Sequence, residues 1–364
     1  MLEIYLPIVQ VNVDIFLLLF LSLLVGVLSG LFGVGGGFLM TPFLIFMGIP
    51  PVYAVPNEVN NILATSVSGS LTHWFKNTLD YKMGFMIMSG GTVGTLFGIT
   101  TFSYFSEIGK ISTIISLLYM YLLLIVGTLM LIETFKESRK KNKIKKKLHD
   151  HNWFQGLPLR MRFPKSKLYE SAFTPILLGL VVGFVASMMG IGGAFLMVPA
   201  MIYIVGMPVK LIPGTSLFVT VFISAIVTIL HAFNYGSIDM FLVIPLIIGS
   251  IVGVQLGQKL GQYLDSGHLK SLFAILLLSV AIAIAYDSFF RDKEVINSSQ
   301  SIQTDLNGLA EFSLKFNNEA PFLYGVSAIF LAIILGGFTS WMRKIISDMR
   351  KKKPKVEEVK FPVK

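Results

Sequence analysis

The chain carries one apolar, glycine-broken motif twice. Residues 26–42 read G-V-L-S-G-L-F-G-V-G-G-G-F-L-M-T-P and residues 183–199 read G-F-V-A-S-M-M-G-I-G-G-A-F-L-M-V-P, at a constant offset of 157. Gly26, Gly33, Gly35, Gly36, Phe38, Leu39, Met40 and Pro42 recur as Gly183, Gly190, Gly192, Gly193, Phe195, Leu196, Met197 and Pro199. Paired apolar segments interrupted at corresponding positions are the sequence pattern of a transport site between internal repeats of a membrane protein.

The rest of the chain suits that setting. It is 54% hydrophobic and only 14% charged, with a mean hydropathy of +0.74; a soluble domain carries about a quarter charged residues. Apolar helices are predicted at 13–34, 37–48, 58–75, 83–103, 108–132, 173–189, 194–206, 211–232, 240–262, 268–290 and 321–346. Several reach the roughly 20 residues that span hydrocarbon. The start is acidic and free of Lys and Arg, unlike a cleaved signal peptide. Cysteine is absent, which removes disulfides, thiolate catalysis and Cys-ligated metals. The net charge of +10 is gathered at 133–170 and beyond Arg343, where it suits anionic lipid head groups at a cytoplasmic face rather than nucleic acid.

Each glycine-broken segment, 13–48 or 173–206, is either one crossing or a hairpin that returns to the face it entered. With 133–170 fixed in the cytoplasm, hairpins put 26 of the 30 Lys and Arg inside, whereas single crossings put 17 there. The positive-inside rule favours hairpins. Each repeat is then a hairpin plus three crossings. Three is odd, so the second copy is inverted relative to the first, with the N-terminus outside and the C-terminus in the cytoplasm.

The repeat continues past the hairpins. At offset 158, Asn57, Glu58, Ser66 and His73 fall on Thr215, Ser216, Ser224 and His231; at 159, Asp80, Gly90, Gly94 and Gly98 fall on Asp239, Gly249, Gly253 and Gly257. The last glycines, spaced by four, read as close helix packing. Asp80 and Asp239 read as helix caps.

The candidate substrate-binding residues are Gly33, Gly35, Gly36, Gly37, Gly190, Gly192 and Gly193, with Asn57, Asn60, Asn61, Ser66, Thr215, Ser216 and Ser224. The glycines bare amides at broken helix ends, where the helix dipole favours an anion; they also serve hairpin turning and packing. Asn57, Thr215 and Ser216 open predicted helices, so capping competes with binding. Asn60 and Asn61 lie a turn further in, where polar groups face a cavity or a partner helix. Ser66 and Ser224 are mid-span, and bonding to their own helix is the competing role. Glu58, His73 and His231 are candidates for ion coupling. Glu58 is read as sitting at the outer interface, and both histidines as interface anchors. No His and carboxylate grouping suggests a metal site, no cofactor motif is present, and no nucleophile, base and orienting group can be assembled into an enzyme.

These segments resemble the sulfite exporter TauE/SafE family of membrane permeases. The resemblance is carried by the paired glycine hairpins ending L-M-T-P at 39–42 and L-M-V-P at 196–199, by A-T-S-V-S-G at 64–69 followed by L-T-H-W at 71–74, and by Q-G-L-P-L-R-M-R-F at 155–163. It covers about 13–290 and implies secondary transport of small sulfur-containing or organic anions such as sulfite or sulfonates. Many members have a Thr-Ser pair in both halves; here the first half has Asn57-Glu58.

The sequence thus predicts an all-α, polytopic protein of the cell membrane. Its parts are a first membrane repeat at 1–132, a basic cytoplasmic loop at 133–170, a second repeat at 171–290, an extracytoplasmic loop at 291–320, an extra transmembrane helix at 321–346 and a basic tail at 347–364. The predicted function is alternating-access transport of a small anion, with a passive anion channel and a non-transporting scaffold as alternatives. Self-association into a homo-oligomer stays open.

Overall fold

The computed structural model describes residues 3–32, 39–139, 159–208, 210–260, 266–290 and 308–351. It is an all-α membrane protein, decorated among the described residues by two small β-hairpins. A hairpin of β1 (Glu3–Leu6) and β2 (Val11–Asp14) leads into α1 (Ile15–Phe32), α2 (Met40–Phe46), α3 (Pro51–Phe75), α4 (Tyr81–Glu107) and α5 (Ile111–Arg139). A second hairpin of β3 (Arg160–Phe163) and β4 (Leu168–Ser171) leads into α6 (Phe173–Met189), α7 (Ala194–Tyr203), α8 (Ile212–Tyr235), α9 (Met240–Leu260) and α10 (Ser266–Phe290). Two further helices follow, α11 (Gly308–Glu319) and α12 (Pro321–Lys351).

The β-hairpins extend the repeat in both copies. Glu3 pairs with Asp14 and Leu6 with Val11; at the same offset of 157, Arg160 pairs with Ser171 and Phe163 with Leu168. Gln10 and Lys167, equivalent turn residues, share a left-handed φ of 60° and 54°. Asp14 accepts the N–H of Phe16, and Ser171 that of Phe173. Residues 160–170, expected in the basic loop, form most of this second hairpin, which leads directly into α6.

Glycine seams hold the two copies together. A Cβ at Gly90 or Gly94 of α4 would lie 1.9 or 2.0 Å from the carbonyl of Ile176 or Leu180 on α6, and Gly98 sits against Phe184. The same seam recurs between α9 and α1: Gly249 meets Leu19, Gly253 meets Leu23 and Gly257 meets Val27. Residue numbers rise together in both seams, so α1 runs parallel to α9 and α6 parallel to α4. Small residues here let backbones touch, which supplies packing where lipid offers no hydrophobic drive.

These directions decide how the glycine-broken segments run. On α3, Asn57 is bonded to Ser237 and Asp239 before α9, and Asn61 to Ser250 within it. α1, α3 and α9 therefore share one direction, and the chain must turn back between Phe32 and Pro51; α2 lies on that return. In the second copy α8 runs with α4, through Asp80–Thr215, Gly84–Phe218 and Gly91–Ile223, and α7 lies on the return before it. The counterpart helices α3 and α8 run antiparallel, with Gly69 against Leu217 and Gly214 against His73.

Among the described residues, five helices are long and apolar enough to cross a membrane: Tyr81–Glu107, Ile111–Ile132, Ile212–Tyr235, Met240–Leu260 and Pro321–Ile345. α3 is as long but too polar to join them, because it carries Asn57, Glu58, Asn60, Asn61, Thr65, Ser66, Ser68 and Ser70, all buried. Lipid-facing apolar side chains such as Leu129, Ile275, Ile282 and Phe330 are 60% or more exposed within the protein, which in a bilayer puts them against acyl chains. α12 runs along α3, with Gly336 against Ala64, Thr339 bonded to Ser68 and Arg343 to Thr72. α11, expected as loop, docks through Asn317 on the Gly236 carbonyl and Ser313 on Tyr324.

Candidate functional site

The polar centre of the protein is the α3–α8 pair and what reaches it. α3 starts earlier than expected, at Pro51 rather than 58, with Pro50 as its N-cap residue. A proline at the first helical position is favourable because its missing N–H has no intrahelical partner there. Asn57 and Glu58 are consequently in the second turn, and neither caps. α8 begins at Ile212 with Leu211 as N-cap residue, so Thr215 and Ser216 do not cap either.

Asn57 and Thr215 instead tie the two repeats together, at opposite ends of the antiparallel pair. Asn57 donates to the carbonyls of Tyr53 (2.6 Å) and Ser237 (3.0 Å) and accepts the N–H of Asp239 (2.7 Å). Thr215 donates to the Leu211 carbonyl (2.8 Å) and accepts the N–H of Asp80 (3.0 Å). The aspartates complete the joints. Asp239 accepts from the backbone of Ile8, Val9 and Phe241, and Asp80 from Ser166 and the backbone of Met83. Asp80 and Asp239 cap α4 and α9 as predicted, and each also pins the turn of one β-hairpin.

Glu58 lies at zero exposure inside the protein, which corrects its expected place at the outer interface. Its oxygens meet Asn61 Nδ2 at 3.2 and 3.1 Å, and that nitrogen also meets Ser250 Oγ at 3.0 Å. His231 is likewise buried rather than an interface anchor, with Nε2 3.1 Å from the Ser187 carbonyl and its ring edge-on to Phe102. His73 is partly exposed and bonds the Thr78 hydroxyl at 2.9 Å. Ser66 is buried, and Ser216 donates to the Pro213 carbonyl. The buried atoms without a hydrogen-bond partner include both amide atoms of Asn60, Oδ1 of Asn61, Nδ1 of His231, and the hydroxyls of Thr41, Ser224 and Thr228. Such groups are costly unless something polar visits them.

The second hairpin tip reaches this centre. Gly190, Gly192 and Gly193 all adopt left-handed φ, of 74°, 68° and 76°, which only glycine takes without strain. Cβ atoms there would meet Val55 and Thr41, Ile62, and Val182 respectively. Gly193 is the N-cap residue of α7, so free amides of that helix start at the tip. Tyr119 of α5 donates to the Met189 carbonyl just before it, at 2.6 Å. The first-copy glycines Gly33, Gly35, Gly36 and Gly37 lie outside the described residues. Sequence reasoning missed Ser250, Thr41 and Tyr119. Ser250 stands where the repeat has Gly91, and Tyr119 is one of several hydroxyl side chains on an otherwise apolar helix, with nothing in the sequence to single it out.

The family described as sulfite exporter TauE/SafE matches residues 18–284, from α1 into α10. The chain belongs to the sulfite exporter TauE/SafE family. In this TauE/SafE member α11 and α12 follow the matched region. The probable membrane transporter protein YjnA of Bacillus subtilis (strain 168) is 30% identical over 234 residues, which cover 64% of this chain and 85% of that protein. YunE of the same organism, also named a probable membrane transporter protein, is 25% identical over 283 residues, 75% of this chain and 98% of YunE. A probable membrane transporter protein of Xylella fastidiosa (strain 9a5c) is 28% identical over 272 residues, 73% and 93% of the two chains. No solved structure matches the chain. Among the described residues of this TauE/SafE protein, no group of three or more His, Asp or Glu side chains could hold a metal ion.

Proposed function

We propose that this protein is a secondary transporter of a small sulfur-containing or organic anion, such as sulfite or a sulfonate. Its two repeats sit inverted across the cell membrane, N-terminus outside and C-terminus in the cytoplasm, and exchange conformations to give alternating access. The observation that carries this reading is the meeting of the Gly190–Gly193 tip with a buried polar helix. The tip brings the start of α7, the positive end of its dipole, close to α3, and buried atoms of Asn60 on α3, Thr41 on α2 and Ser224 on α8 have no hydrogen-bond partner. Gly33, Gly35, Gly36 and Gly37 would form the matching tip of the first copy. Ser66 and Ser216 add hydroxyls, while Asn57 and Thr215 act as the joints at either end. The names of the relatives and the family support transport as the class of function.

All of these described polar residues are closed to solvent, so an anion reaches them only when a hairpin moves. The mirrored joints support the exchange: release at Asp239 opens one end and release at Asp80 the other. In proteoliposomes, labelled sulfite or sulfoacetate should cross with saturating rates that rise when unlabelled anion is loaded on the far side, and a simple carboxylate should compete poorly. Flux that is linear in concentration, without acceleration by anion on the far side, contradicts a carrier.

A further inference from the structure

The cluster around Glu58 is short of hydrogen-bond donors. Three oxygens, Glu58 Oε1 and Oε2 and Ser250 Oγ, surround one nitrogen, Asn61 Nδ2, at 3.0–3.2 Å. An amide nitrogen has two protons to give. Asn61 Oδ1 is a fourth oxygen, buried with no donor at all. Ser250 is turned towards the carbonyl of Ser22 on α1, at 3.5 Å. With the carboxylate ionised, the cluster would hold an unpaired charge in a low-dielectric interior, where an ion without a partner takes up a proton instead. A single proton on Glu58 removes the charge and leaves two acceptors, its carbonyl oxygen and Ser250 Oγ, for the two amide protons.

No other group facing α3 replaces that proton. Asp239, ahead of α9, is occupied by the N–H groups of Ile8, Val9 and Phe241. On α8, Nε2 of His231 is engaged with the Ser187 carbonyl while Nδ1 is buried without a partner, and no hydrogen bond joins the ring to Glu58; on α5, Tyr119 donates to Met189. On α12, Tyr324 bonds Ser313, while Arg343 and Lys344 lie at the far end on Thr72 and over Phe75. His73 of α3 itself bonds Thr78, and Lys259 is in the last turn of α9. The described parts of α2 and α6 carry no titratable side chain. Among the described residues, Glu58 has no ion-pair partner. Its counterpart in the other repeat is Ser216, so the site exists once per chain.

We propose that Glu58, held by Asn61 and Ser250, is a proton-binding site, and that a proton accompanies the anion through the membrane in the same direction. This rests on the transporter reading above. An ionised Glu58 repels an anion entering beside α3 and a protonated one does not, so each ligand strengthens binding of the other by the same factor. The cluster also joins α1, α3 and α9, and Gly26 of the first hairpin packs on the Ser250 carbonyl. Movement of that hairpin therefore opens the proton site together with the anion site.

Two measurements test this on the full-length protein in lipid. Infrared difference spectra at neutral pH should show a protonated-carboxyl band that Glu58→Gln removes; a spectrum unchanged by Glu58→Gln overturns the proton site, whatever happens to flux. In proteoliposomes, an acid-outside gradient should drive sulfoacetate accumulation by the wild type. Its apparent affinity should weaken by about tenfold per pH unit where Glu58 titrates. Glu58→Gln should exchange sulfoacetate across equal pH, with affinity flat in pH, and should lose gradient-driven accumulation. Glu58→Asp, which keeps a carboxyl, should accumulate with a displaced pH profile. Accumulation by Glu58→Gln equal to wild type, or wild-type accumulation indifferent to the gradient, overturns the coupling and leaves the transporter reading standing. A wild type that moves neither sulfite nor sulfoacetate, with the carboxyl band present, sinks the transporter reading and the coupling but keeps the proton site.

Discussion

The side-chain carbonyl of Asn57 accepts the backbone N–H of Asp239 at 2.7 Å, joining a helix of the first repeat to a helix start of the second. Thr215 and Asp80 make the same joint at the other end of the α3–α8 pair. Asn57→Ala would leave the Asp239 N–H and lose a bond to the Ser237 carbonyl, both buried. It should destabilise the protein by about 1–3 kcal/mol. Thr215→Val should act in the same direction at the opposite joint, while Thr215→Ser should restore most of the loss. Thermal unfolding in detergent checks all three.

The glycine seams make a sharper contrast. Gly90→Leu and Gly249→Leu drive side chains into the Ile176 backbone and into Ser22 and Leu19, so folded yield on size-exclusion chromatography should collapse. Gly337 of α12 has open space where a Cβ would go. Gly337→Ala should leave the protein folded and raise helix stability by up to about 1 kcal/mol.

At the hairpin tip, Gly192 has φ +68° and a Cβ there would come within 2.3 Å of Ile62. A side chain in the left-handed region costs about 1–2 kcal/mol before any clash. Gly192→Leu should therefore cut anion flux at least tenfold while membrane expression survives, and Gly35→Leu should match it in the first copy. Full flux in both variants, measured in proteoliposomes, would reduce the hairpins to packing devices.

The absence of cysteine makes inversion directly measurable. Gln10 and Lys165 lie in equivalent turns of the two β-hairpins. Gln10→Cys should react with a membrane-impermeant maleimide from outside the cell, and Lys165→Cys only from the cytoplasmic side. Labelling of both from one face would contradict inverted repeats.

Much of the architecture was legible because the duplication leaves marks that need no tertiary context. The offset carried by Gly26 and Gly183 is also the offset of the β-hairpin registers. The seams through Gly90 and Gly249 were readable as packing from their spacing of four alone. What escaped notice did so for physical reasons. Strands of four residues give too little alternation to stand out, and α11 is a short helix held by Phe316 against Tyr324 and by the polar anchors Asn317 and Ser313. Glu58 was misplaced because the helix was expected to begin at 58, which put its carboxylate at a helix entry near the interface. Instead Pro51 begins α3 and Pro56 sits within it, as neighbouring helices allow in a membrane. Ser250 and Tyr119 joined the site through long-range packing that no local pattern encodes.

Alternating access is most directly tested at Ser224, whose buried hydroxyl has no partner at the centre of α8. In Ser224→Cys, the single thiol should react with an impermeant maleimide applied from either face of the membrane, and saturating sulfite should shift the two rates in opposite directions or suppress both. Reaction from one face only, with anion flux intact, would contradict the account.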